Sequence, residues 1–175
     1  MATIWAGARL GLLLPIALFS ACASLVAPYD ATFDQSLNKL SEETARFLAA
    51  AESGGSERSF ASEETVAYYA TTYNVLDRLI ERARLTRGSV PCATDRELAA
   101  FAGQPTSRTS LPEDYLKLDC REFQLYGVRL YANQLEYAHQ TGGVLNRPEA
   151  KAQGGTLQAA IMAAILTFVA NKPVS

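Results

Sequence analysis

The sequence predicts an all-α protein, a four-helix up-and-down bundle with one long connection between two of its helices. Along four segments of the chain, apolar residues recur at spacings of three and four, which is the period of a helix with one buried side. The chain contains no alternating apolar and polar pattern of strand length and no internal repeat. We therefore expect one bundle domain over residues 32–171.

The first two helices are predicted at residues 32–52 and 62–87. The first is amphipathic and ends at Gly54-Gly55, a pair typical of a helix C-terminus. The second begins at Ser62, a favourable N-cap, and two glutamates in its first turn suit the positive end of the helix dipole. Arginines crowd its last turns, where cations suit the negative end.

The third helix is predicted at residues 113–140, after a connection that carries three prolines and one short helix at residues 95–102. The run Ser110-Leu111-Pro112-Glu113 combines a capping box with a proline in the first turn. The apolar side chains of this segment fall on two neighbouring stripes, so we expect it to be the longest and most buried of the polar-faced helices. His139 is expected to be an exposed residue at its end.

The fourth helix is predicted at residues 156–171, with a loop over residues 140–155 and Gly154-Gly155 before it. No charged residue occurs between Lys151 and Lys172. A helix of this length is too short to span a bilayer, so its apolar character indicates either the centre of the bundle or a contact face. The candidate partner or ligand face consists of five residues, namely Tyr126, Tyr137, Ile161, Met162 and Ile165.

The N-terminus has the layout of an export signal. Arg9 precedes a short apolar run that ends in Ser20-Ala21-Cys22. This ending resembles the lipobox of bacterial lipoproteins, in which the cysteine is lipidated and becomes the first residue of the mature protein. The resemblance implies a cleaved signal peptide at residues 1–21, a lipid on Cys22 and a short tether to residue 31. Cleavage after Ala23, which would release a soluble periplasmic protein, is the alternative.

The three cysteines fit an exported protein. With Cys22 lipidated, Cys92 and Cys120 remain as a pair in an oxidising compartment, and we expect a disulfide between them. This bond would hold down the long connection and contribute roughly 3–4 kcal/mol through loop-closure entropy. A reactive or metal-binding pair is the alternative, but a metal site needs further cysteine or histidine ligands.

Few residues of the sequence suggest a catalytic, metal-binding or cofactor-binding site. Glu136 and His139 form the Glu-x-x-His pair of a di-iron bundle helix, but that site needs two such pairs and the chain has one histidine. A haem held by His139 and Met162 lacks an attachment motif. Asp119 and Glu122 have arginines within helical reach, which favours ion pairing over acid–base catalysis. We therefore expect no enzyme, no cofactor and no metal site.

Charge limits the partners that the chain can bind. Without residues 1–21 the chain has 15 basic and 18 acidic side chains, so it offers no basic surface for nucleic acid. We expect an envelope lipoprotein, bound to the membrane by its lipid, that binds or scaffolds another envelope protein. Ala23 after the cysteine resembles lipoproteins of the outer membrane. The alternative is a periplasmic bundle with a small ligand in a pocket lined by Tyr126, Tyr137 and Met162.

Overall fold

Four helices of equal length make up the part of the fold that the structure describes. The structure is a computed structural model that describes residues 29–87 and 118–169. Its helices are α1 (Ala31–Ser53), α2 (Glu63–Leu85), α3 (Cys120–Gly142) and α4 (Arg147–Val169), with a short 3₁₀ turn at Ser56–Arg58. No strand occurs among the described residues, so the prediction of an all-α bundle is confirmed. The signal peptide, Cys92 and the predicted helix at residues 95–102 lie outside the described residues.

Neighbouring helices run antiparallel, as contacts at both ends of the bundle show. Phe33 at the start of α1 stacks on Phe168 at the end of α4, with ring centroids 4.1 Å apart. Between α2 and α3, Tyr69 meets His139 near one end and Arg87 meets Glu122 near the other. The helices therefore alternate in direction in the order α1, α2, α3, α4, with α4 packed against α1.

The predicted boundaries of α1 and α2 are confirmed within two residues, because local caps determine them. Gly54 takes the left-handed backbone conformation, with φ of 88°, and its N–H closes the last turn of α1. The Ser62 side chain accepts a hydrogen bond from the backbone N–H of Thr65, three residues into the helix. Asp30 caps the start of α1 by accepting from the N–H of Thr32.

The third helix starts later than predicted. Asp119 is in extended conformation, so a helix running unbroken from residue 113 to 140 is wrong. The Asp119 carboxylate accepts from the backbone N–H groups of Arg121 and Glu122, and the Glu122 side chain accepts from the N–H of Asp119. This capping box sets the start at Cys120. With 23 residues α3 is no longer than the other described helices, but twelve of them are buried, more than in any of those.

The fourth helix starts nine residues earlier than predicted, at Arg147. The Asn146 side chain caps it by accepting from the N–H of Glu149. Gly154 and Gly155, which the sequence suggested as part of a loop, are inside the helix. Gly154 is buried against Leu48 of α1, where a Cβ would come within 2.5 Å of Leu48 Cδ2. The glycine therefore lets two helices pack closely without displacing the end of Leu48, and it does not form a turn.

The observed length of α4 bears on whether this helix could cross a membrane. At 23 residues, α4 is the one helix of the described chain long and apolar enough to cross a membrane by length and composition. The prediction that the fourth helix is too short to span is therefore wrong. Within the bundle, 33 % of its most apolar stretch is buried, and its buried side packs against both α1 and α3.

The α1–α2 loop and the α3–α4 loop lie at one end of the bundle and are joined by backbone hydrogen bonds. Phe60 N–H donates to the Gly143 carbonyl at 3.1 Å, and Leu145 N–H donates to the Arg58 carbonyl at 2.8 Å. Ser59 and Val144 form an isolated bridge between these bonds. At the opposite end, Tyr29, Arg87, Leu118 and Val169 lead to the parts of the chain that are not described.

Candidate interaction surface

The five residues predicted as a partner or ligand face do not lie together. Ile161 and Ile165 are core residues of α4, with 0 % and 7 % of their surface exposed. Met162 and Tyr137 are 48 % and 44 % exposed on the outside of the bundle. Tyr126 is buried on the side of α3 that faces α2. A core pocket shared by Tyr126, Tyr137 and Met162 is therefore not formed.

Tyr126 has a structural partner on α2. Its hydroxyl accepts a hydrogen bond from Arg84 Nη2 at 3.2 Å. Arg84 also lies near the buried Glu122, with an Nε to Oε1 distance of 4.0 Å. The tyrosine is thus tied to a polar cluster between α2 and α3 and is turned away from α4.

The outer side of α4 is exposed and apolar. The helix buries one side, and after Lys151 the opposite side carries six exposed apolar residues, namely Ala152, Gly155, Ala159, Met162, Ala163 and Leu166. Leu166 is 64 % exposed, more than Met162. A helix with no charge after Lys151 therefore splits into a core side and an uncharged outer side. The sequence indicated the missing charge, but it could not indicate that only one side would be covered.

A groove runs between this outer side and α3. It encloses about 310 Å³ and is open to solvent. It is lined by small residues of α4 and by a glycine, two aromatic side chains and a glutamine of α3. The lining residues are Phe123, Gln124, Gly127, Tyr131, Thr156, Ala159, Ala160 and Ala163. We call this the α3–α4 groove.

A second groove, between α1 and α2, differs in charge. It has a volume of about 260 Å³, and four of its lining residues are charged, namely Glu43, Arg46, Glu57 and Glu64. None of the residues that line the α3–α4 groove is charged. Depletion of charge and enrichment in aromatic side chains are typical of the centre of a protein–protein interface. The α3–α4 groove therefore has the composition of a contact surface.

His139 is a buried core residue, so the prediction of an exposed helix end is wrong. None of its surface is exposed. Its Nε2 lies 3.0 Å from the Arg58 carbonyl, which can only accept, so Nε2 carries the proton. In the neutral ring Nδ1 then accepts from the Tyr69 hydroxyl at 3.2 Å. Phe47 and Phe60 pack around the ring.

Burial shifts the titration of this aromatic cluster. Desolvation lowers the pKa of His139 below its ordinary value, although its bond to the Arg58 carbonyl opposes the shift. Burial likewise raises the pKa of Tyr68 to about 12 and raises the pKa of Tyr69 further. These groups are therefore neutral at pH 7. Their role is to connect α1, α2 and α3 with the two hydrogen-bonded loops.

The other polar residues that suggested chemistry also have structural partners. Glu136, 2 % exposed, accepts from the Tyr73 hydroxyl at 2.8 Å. Glu122 is fully buried, and Arg87 donates to both of its oxygens, from Nε at 2.6 Å and from Nη2 at 2.8 Å. Among the described residues no group of three histidine, cysteine or acidic side chains could hold a metal ion. Residues 136 and 139 thus stabilise the core between α2 and α3.

Comparison with known proteins finds no relative of this chain. The chain matches no family model, no curated protein and no solved structure.

Proposed function

We propose that the chain is a lipid-anchored protein of the bacterial envelope that performs no catalysis and binds another envelope protein through the α3–α4 groove. The observation that carries the proposal is the contrast between its two described grooves, one lined with four charged residues and one with none. An uncharged groove with aromatic side chains excludes water at little desolvation cost when an apolar partner enters it.

The anchor rests on the N-terminal sequence. Arg9, the apolar run and Ser20-Ala21-Cys22 have the layout of an export signal whose end resembles a lipobox. The part of the chain that follows Cys22 reaches α1 after only about eight residues, which span at most ~30 Å. The anchored bundle would thus remain near its membrane. Ala23 favours the outer membrane, facing the periplasm.

We also propose that Cys92 and Cys120 form a disulfide. Cys120 can pair only with Cys22 or Cys92, the other two cysteines of the chain, and an exported protein reaches an oxidising compartment. Lipidation of Cys22 leaves Cys92. The bond would fasten the long connection to the first residue of α3, next to the capping box of Asp119 and Glu122.

The groove favours a helical partner. Its walls are two antiparallel helices, and Ala159, Ala160 and Ala163 leave room for the apolar side of a third helix. Such a helix would place apolar side chains three and four residues apart between Tyr131 and the alanines. Because the groove has no charge, a partner with charged groups on its contacting side would be disfavoured, since they would be buried without counter-charges.

A small apolar ligand is the second candidate. The groove volume of about 310 Å³ is at the lower end of ligand pockets. In favour of a protein partner, the groove is open to solvent, whereas most small-ligand sites enclose the greater part of their ligand.

Site-specific photo-crosslinking tests the proposal. A photoreactive amino acid replaces Tyr131 in the groove or, as the control, the exposed Lys39 on α1, in the full-length chain expressed in a bacterial envelope. We expect one envelope protein to crosslink from position 131 and not from position 39. An Ala163→Arg substitution, which puts a charge in the groove, should abolish that product. Equal crosslinking at both positions would contradict the proposal, and a retained small molecule with no protein product would favour the ligand.

A further inference from the structure

The exposed side of α4 has the spacing of a coiled-coil seam. Six apolar residues follow one another at intervals of three, four, three, four and three, namely Ala152, Gly155, Ala159, Met162, Leu166 and Val169. The first five are exposed and Val169 is half-buried. We call these residues the α4 seam. An alternating three- and four-residue spacing is the pattern by which one helix packs lengthwise against another.

The α4 seam is complementary to itself when two copies run antiparallel. Its first three residues are small, and its last three are large. Around a two-fold axis between Ala159 and Met162, these two residues face each other across the pair. In the same arrangement Gly155 faces Leu166, and Ala152 faces Val169. Each layer then holds one large and one small residue, so the two helix axes stay at a constant distance.

The opposite orientation would pack poorly. In a parallel pair, Leu166 would face Leu166 at one end, and Gly155 would face Gly155 at the other. Large layers would hold the helices apart and leave the small layers unfilled, and unfilled volume in a packed interface is destabilising. The order of residues along the seam therefore favours an antiparallel pair.

The described positions that flank the seam carry one charge, on the exposed Lys151 beside Ala152. The others are Thr156 and Ala163 on one side and Gln158 and Ile165 on the other. In an antiparallel pair the two Lys151 side chains lie at opposite ends of the interface. In coiled coils, charges at such positions determine partner choice and orientation, and like charges would repel a second copy. A charge-free seam brings no like charges together in an interface that pairs a surface with itself.

We propose that the α4 seam is the interface of a homodimer, in which α4 of one chain packs antiparallel against α4 of a second. This dimer goes beyond the proposed function and does not depend on the lipid anchor. One consequence does rest on the anchor. Phe33 stacks on Phe168, so each tether leaves the bundle near the end of α4. The two anchors would then be at opposite ends of the dimer, and both bundles would lie flat along the membrane.

Disulfide crosslinking in the full-length chain tests both the dimer and its direction. The variants are Gly155→Cys and Leu166→Cys, with different affinity tags, expressed alone and together and then oxidised. A Cβ at residue 155 meets no atom within 4 Å, so the first variant should fold normally. We expect a dimer with both tags when the two are expressed together and no crosslink from Leu166→Cys alone. Self-crosslinking of Leu166→Cys would overturn the antiparallel arrangement, and no crosslink at all would overturn the dimer.

The mass in solution supplies an independent test. The purified wild-type chain should sediment as two copies, and the double variant Met162→Glu/Leu166→Glu should sediment as one with an unchanged helical circular dichroism spectrum. The matched control is Val66→Glu, because Val66 is 57 % exposed on α2. It should remain a dimer. A monomeric wild-type chain, or a dimer that survives both glutamates, would overturn the proposal whether or not Cys22 carries lipid.

Discussion

Gly154 of α4 lies against the side chain of Leu48 of α1, and a Cβ on this glycine would come within 2.5 Å of Leu48 Cδ2 and 2.6 Å of Leu48 Cδ1. The adjacent Gly155 faces open space. A side chain at residue 154 would therefore displace the end of Leu48, whereas a side chain at residue 155 would contact no other part of the bundle.

Alanine at these two positions should have opposite effects on stability. At residue 154 both methyl groups of Leu48 would have to move, and overpacking of this kind typically costs about 1–3 kcal/mol of stability. The higher helix propensity of alanine offsets about 1 kcal/mol of this cost. At residue 155 only the gain of up to about 1 kcal/mol remains. We expect the urea midpoint to fall for Gly154→Ala and to rise for Gly155→Ala. Equal stabilisation by both would contradict the close contact with Leu48.

His139 should make the bundle less stable in mild acid. Its pKa is lowered in the folded protein by burial, whereas in the unfolded chain it is ordinary, about 6.5. Below that pH the unfolded chain binds a proton that the folded protein does not. The free energy of unfolding should therefore fall as the pH decreases through about 6.5, by at most about 1.4 kcal/mol per pH unit.

The matched comparison is His139→Gln. Because carboxylates also titrate in acid, the useful quantity is the difference between the two proteins at pH 7.5 and at pH 5.5. We expect wild type to lose more stability than the variant over this range. The same loss in both proteins would mean that His139 does not determine the pH dependence.

Arg87 should contribute strongly to the junction of α2 and α3. It donates to both oxygens of Glu122, whose side chain is fully buried. Arg87→Met would remove the bidentate hydrogen bonds to this carboxylate. We expect a loss of about 2–3 kcal/mol in the free energy of unfolding. Arg78→Met is the control, because the exposed Arg78 donates to the Asn74 carbonyl of its own helix. A similar small effect of both substitutions would contradict this account.

Removal of the proposed disulfide should lower the melting temperature. Replacing Cys92 and Cys120 by serine would release the constraint on the unfolded chain, a loss of roughly 3–4 kcal/mol. Thermal melts of the wild-type chain with and without reductant provide the comparison, and the serine variant should not respond to reductant. An unchanged melting temperature in the serine variant would contradict the bond.

Local sequence signals predicted the boundaries of α1 and α2, but a competing signal obscured the start of α3. Gly54 and Ser62 act within one turn of their own helices, so their effect is visible in the sequence. For α3, the Ser110-to-Glu113 run suggested an earlier start, although Asp119-x-x-Glu122 is itself a capping-box sequence. The structure uses the second box.

Tertiary contacts account for what the sequence could not predict. Gly154 suggested a loop because its partner, Leu48, is far away in the sequence. His139 suggested an exposed helix end because of the glycines that follow it, but Phe47, Phe60 and Tyr69 bury it. The uncharged sequence after Lys151 indicated both possibilities, core and contact face, and the structure assigns one to each side of the helix. Leu166 was missed as a surface residue, although the heptad spacing of the seam was present in the sequence.

The most direct test of the proposed function is the intact mass of the native protein extracted from bacterial membranes. We expect a chain that begins at Cys22 and carries the mass of a diacyl or triacyl modification, with two further mass units gained on reduction of the Cys92–Cys120 bond. A chain that begins at Ser24 without lipid, or one that retains residues 1–21, would contradict the anchored envelope protein.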